Sequence, residues 1–138
     1  MNYMHEFRRM VYVLVFTPIL LTGCVPSQHK ASALRGIEQF HSRFNDFRFA
    51  EVYDGADSKV KAAMSRDEFV ESMKAMREGQ GRVLSTEEIG MDYDSSSDVV
   101  RIKILMLVTF EKGQAREEFV YQISEGEAVL AGYRFLGK

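Results

Sequence analysis

From Val99 to Phe110 the chain alternates with a period of two. The even positions Val100, Ile102, Ile104, Met106, Val108 and Phe110 are all apolar. The odd positions Val99, Arg101, Lys103, Leu105, Leu107 and Thr109 are mixed. Side chains alternate across a strand, so this pattern specifies one buried and one half-solvated face. Three further runs, Val83–Tyr93, Ala115–Ile123 and Ala128–Leu136, have comparable length. The separators are Asp94-Ser95-Ser96-Ser97-Asp98, Lys112-Gly113 and Glu125-Gly126, turn chemistries of hairpin length. An antiparallel four-stranded meander is expected, with its even face packed on whatever the first half of the chain supplies.

The first half reads as helix. Leu34, Ile37, Phe40 and Phe44 recur at intervals of three and four from Ser32 onward, and Asn45-Asp46 ends the stripe. Phe49, Val52 and Tyr53 predict a short second helix stopped by Asp54-Gly55, and Lys59–Met64 one or two further turns. Ser65-Arg66-Asp67-Glu68 is a capping box, in which hydroxyl and carboxylate satisfy amide donors reciprocally. Phe69, Met73 and Met76 follow on one face, and Gly79 and Gly81 are stops. Met64, Met73 and Met76 are read as gap-fillers rather than as pocket lining. The whole is α+β.

Ahead of this lies a different kind of segment. Arg8 and Arg9 precede an apolar run from Met10 to Thr22, which is too short to span a bilayer at ~20 residues but suits a secretory leader. The run ends in Leu21-Thr22-Gly23-Cys24, which resembles the lipobox of bacterial lipoproteins. That resemblance implies cleavage before Cys24, lipid on its sulfur and acylation of the new amino terminus. Val25 stands where an inner-membrane retention Asp is common, so the resemblance implies an outer-membrane, periplasm-facing protein. The division is then 1–23 signal peptide, 24–31 lipidated N-terminus and tether, and 32–138 a single domain. Lipid would also remove the only thiol, which can form no internal disulfide.

The leader's Arg8, Arg9 and Glu6 take a net +1 with them, so the chain's −2 becomes about −3. Such a balance argues against nucleic acid, which attracts a basic patch. About 115 residues remain, room for one core.

Helices followed by a four-stranded meander resemble the nuclear transport factor two-like (cystatin-like) cone. Phe44–Tyr53 is similar to the opening of small bacterial lipoproteins of that fold, and Gly126–Tyr133 to their closing strand. The fold serves isomerases, dehydratases, cyclases and non-enzymatic binding modules, so it implies no single reaction. Its enzymes place an Asp or His base with Tyr acids in the cavity. The candidates here are Tyr53, Tyr93, Tyr121, Asp54 and Glu117.

No catalytic set is expected. Glu38 and His41 have ligand-pair spacing, but no second pair completes a metal site, and His41 is read as a helix-flank residue. There is no G-x-S-x-G, phosphate loop or dinucleotide fingerprint, and no cofactor is expected.

Hairpin arithmetic sets the remaining expectations. With Lys112-Gly113 as a two-residue turn, Phe110 pairs with Ala115, Val108 with Glu117 and Leu105 with Val120. With Glu125-Gly126 likewise, Tyr121 faces Leu130, Phe119 faces Gly132, and Glu117 faces Arg134 as an ion pair at a pocket mouth. A bulge in the last strand would instead turn Val129, Ala131, Tyr133 and Phe135 inward. Tyr53, Tyr121, Glu117 and Arg134 are therefore the expected ligand-binding residues. Leu105, Leu107 and Val120 form an outer-face patch for weak homodimerisation. The expected function is a lipid-anchored, non-enzymatic module that binds a small apolar ligand or an envelope protein. The alternative is a small lyase, isomerase or hydrolase.

Overall fold

The structure is a computed structural model describing residues 25–96 and 98–138. The leader and Cys24 lie outside the described residues. Four helices, α1 (Val25–Asn45), α2 (Phe49–Asp54), α3 (Ser58–Ala63) and α4 (Arg66–Gln80), precede four strands. These are β1 (Val83–Asp94), β2 (Val100–Phe110), β3 (Gly113–Ser124) and β4 (Glu127–Gly137). The strands form one open antiparallel sheet in the order β1-β2-β3-β4. Ile102, Ile104, Met106, Val108 and Phe110 are buried under the helices, as the alternation requires.

Residues 25–31, expected as a tether, are the first two turns of α1. They are held there by the sheet: Lys30 Nζ meets Glu88 Oε1 at 2.9 Å, and His29 Nδ1 lies 3.2 Å from the Tyr93 hydroxyl.

α1 lays Ala33, Ile37, Phe40, His41 and Phe44 against the sheet. Gly36 lets it approach closely, since a Cβ there would sit 2.6 Å from Tyr121 Cε1. The helix ends in a Schellman motif, with Arg48 N–H donating to Arg43 O at 2.8 Å and Phe47 N–H to Phe44 O at 3.3 Å. The left-handed position in that motif is Phe47 at φ 60°, where glycine is usual. A side chain with a Cβ costs about 1–2 kcal/mol there.

α3 starts on Asp57, whose carboxylate accepts from Lys59 N–H and whose own N–H donates to Leu130 O in β4. α4 carries the capping box as read: Glu68 N–H donates to Ser65 Oγ at 3.3 Å, and Ser65 N–H to Glu68 Oε2 at 2.8 Å. The helix runs through Gly79 and stops at Gly81, φ 80°.

Two registers depart from the hairpin arithmetic. Phe110 pairs with Gly113, so Glu111-Lys112 is the turn and every β2–β3 partner moves by two residues. Met106, not Val108, faces Glu117, and Leu105 faces Glu118. The turn is set from outside: Glu111 N–H donates to Arg82 O, Lys112 N–H to Gln80 O, and Lys112 Nζ to Glu78 O. In β4 the register breaks between Leu130 and Gly132, leaving Ala131 as an extra residue opposite none. Tyr133 and Phe135 thereby turn toward the helices, while Val129 stays on the outer face opposite Gln122. Gly132 sits beside Val120, not Phe119. Leu105, Leu107 and Val120 stay on the outer face, each half-buried, but Leu105 pairs with Glu118, Leu107 with Arg116 and Val120 with Lys103, so the expected apolar cluster is interleaved with charge.

Candidate functional site

The expected Glu117–Arg134 pair does not form. The bulge at Ala131 places Arg134 on the outer face, where its Nη2 meets Glu118 Oε1 at 2.8 Å with the side chain 65% exposed. Glu117 points the other way and is 1% exposed. A buried carboxylate needs partners on both oxygens. Glu117 has them. His41 Nε2 lies 2.7 Å from Oε2, and the Tyr133 hydroxyl donates to Oε1 at 2.6 Å.

Each member reaches the cluster from a different element. His41 lies four residues beyond Ile37 and three before Phe44, so it belongs to the apolar stripe of α1 and is 6% exposed. It is not a helix-flank residue. Glu38, on the exposed side of α1, forms no pair with it. Glu117 comes from the inner face of β3, and Tyr133 from β4 beyond the bulge. Aromatic rings enclose the three. Phe40 lies 5.7 Å from the His41 ring and 4.8 Å from the Tyr133 ring, and Phe119 lies 5.5 and 5.2 Å from the same two. Burial, then the Glu117 charge and its hydrogen bond, push the Tyr133 phenol well above its ordinary value of 10. Burial also raises Tyr121, against a smaller lowering by Arg43.

This arrangement is closed on itself. Both Glu117 oxygens are occupied, and neither His41 nor Glu117 lines the cleft between α3, α4 and β4. General-base work needs a lone pair within reach of substrate. The cluster reaches that cleft through Tyr133. Its side chain helps wall the cleft, of about 190 Å³, whose other walls include Val60, Met64, Phe69, Met73 and Gly132. Met64 and Met73 line this cleft, and Met73 is at the same time part of the buried core. Met76 lies behind it, with Sδ 3.4 Å from the Tyr133 hydroxyl.

The other expected ligand-binding residues are dispersed. Tyr53 donates to Met64 O at 2.9 Å and rests on Phe69, pinning the α3–α4 junction. Tyr121 is stacked beside Phe119 beneath Gly36. Tyr93 belongs to the α1–β1 contact, and Asp54 holds Arg66 at 2.8 Å. Tyr133 and His41 are the residues the candidate set lacked. The stripe position of His41 was a usable signal, and the small pair Ala131-Gly132 is where a bulge would fit. Among the described residues no three His, Cys, Asp or Glu side chains converge as a metal site, and no helix is long and apolar enough to cross a membrane. No protein-family model and no curated protein sequence matches the chain.

Proposed function

We propose that this protein is a non-catalytic binding module of the nuclear transport factor two-like type, held at the outer membrane by lipid on Cys24 and facing the periplasm. The cleft between α3, α4 and β4 is its ligand surface, and the ligand is a small apolar group. The supporting observation is the contrast in access. The polar cluster is closed on itself behind Phe40 and Phe119, while the open cleft is walled by Met64, Met73, Phe69 and Val60. Methionine gives such a wall adaptability without fixed polar demands. At about 190 Å³ the cleft is below the ~300 Å³ of ordinary small-molecule pockets, so it suits a short chain or one buried side chain.

Two measurements test this. Nile red should bind the wild type at one site and be displaced by Ser72→Phe, which fills the cleft from α4, with circular dichroism unchanged. Binding that survives Ser72→Phe counts against the cleft. Cys24→Ser should abolish palmitate incorporation; a wild type that takes up no labelled palmitate counts against the anchor.

One observation favours the enzymatic alternative: Tyr133 belongs both to the cleft wall and to the Glu117 cluster. A lyase or isomerase would use that phenol as its acid. Glu117→Gln would then abolish turnover while leaving Nile red binding intact.

A further inference from the structure

The turn between α1 and α2 spends stability to display an aromatic ring. Phe47 occupies the left-handed position of the Schellman motif, where glycine would carry no strain, and it is 56% exposed. Its ring rests edge-on against Phe49 and carries the Arg77 guanidinium on its face, 4.7 Å from the centroid. The arginines around this turn are not equivalent. Arg43 and Arg48 are answered by Glu51 and Asp46. Arg77 forms no ion pair among the described residues, and its buried Nε has no hydrogen-bond partner. An exposed aromatic stacked under an unanswered arginine has the composition of an interface hot spot.

We infer that Phe47 and Arg77 form a docking point for a protein segment carrying an Asp or Glu side chain beside a large apolar residue. The apolar residue covers the free face of Phe47, and the carboxylate answers the guanidinium through its terminal Nη atoms, since Nε is buried. A membrane surface is the less suitable occupant. Phe47 follows the C-terminal end of α1, and the 21 residues of that helix set it about 30 Å from the end that begins at Val25. Under the anchor reading above, on which this orientation alone rests, the ring points away from the bilayer and toward proteins of the periplasmic space.

The test is selection of a phage-displayed dodecapeptide library on the immobilised full chain. The expected result is an enriched consensus with Asp or Glu adjacent to a large apolar residue. The corresponding synthetic peptide should bind, and its affinity should fall about tenfold or more with either Phe47→Gly or Arg77→Gln. Replacing the peptide's acid by its amide should cost as much. Phe47→Gly should leave the thermal midpoint unchanged or raise it, which separates loss of docking from loss of fold. The peptide should bind Cys24→Ser equally, so the inference stands even where the anchor reading fails. No enriched acidic consensus would overturn the proposal, as would peptide binding indifferent to both variants. So would Phe47-dependent dimerisation in sedimentation, or Phe47-dependent retention on phosphatidylglycerol vesicles.

Discussion

The Tyr133 hydroxyl reaches Glu117 Oε1 at 2.6 Å because Ala131 is an extra residue in β4. Without it, Arg134 rather than Tyr133 would stand on the helix side of the sheet. One residue of register decides whether Glu117 meets a solvated cation or a buried phenol.

That dependence gives an ordered set of stabilities. Glu117→Ala strips partners from His41 and Tyr133 together and should cost about 3–5 kcal/mol. Tyr133→Phe removes one hydrogen bond to a carboxylate and should cost about 1.5–3 kcal/mol. Urea denaturation of the two variants checks the order, and an equal or reversed ranking would show that His41 does not depend on Glu117.

The raised phenols predict an alkaline limit. Tyr133 and Tyr121 have folded-state pKa values above the ordinary 10, so the folded protein holds protons that the unfolded chain releases. Their contribution is fully present below about pH 10 and is lost as the pH rises toward the folded values. The denaturation midpoint should therefore decline above pH 10, and less steeply in Tyr133→Phe. A wild-type midpoint flat to pH 12 contradicts the burial assigned to both rings.

Gly36→Ala sets two effects against each other. Helix propensity favours alanine by about 1 kcal/mol. The new Cβ would lie 2.6 Å from Tyr121, an overlap that should cost about 1–3 kcal/mol. Because Tyr121 is hemmed in by Phe119, net destabilisation is expected. Thermal unfolding reads the sign directly.

Ser65→Ala should cost about 0.5–2 kcal/mol through loss of the α4 cap. Glu68→Ala should cost less, since Ser65 Oγ still accepts from the N3 amide. Equal losses from the two would mean that the carboxylate, not the hydroxyl, holds the helix start.

Much of the fold was legible because it follows from local rules. The alternation over β2, the apolar stripe of α1 and the Ser65–Glu68 box each act within a few residues, and each is present. The registers were less legible because distant groups set them. The Glu111-Lys112 turn is claimed by carbonyls at Glu78, Gln80 and Arg82, which no count of turn residues reveals. The site followed the registers. Hairpin arithmetic pairs Glu117 with Arg134, a partner that the bulge removes, and Tyr133 reaches Glu117 only through the bulge. His41 looked like a flank residue because its acceptor lies 76 positions away.

That separation has a kinetic consequence. Every strand pairs only with its neighbour in the chain, so the meander can zip from hairpins before any helix arrives. On that order, Glu117 keeps its water until α1 brings His41 and Phe40 down upon it. The expectation is that the carboxylate's partnership forms after the rate-limiting barrier. Glu117→Gln should then leave the refolding arm of a chevron almost unmoved and steepen the loss on the unfolding side, with a φ-value near zero. The buried pair acts as a latch that governs how long the folded state lasts rather than how fast it is reached.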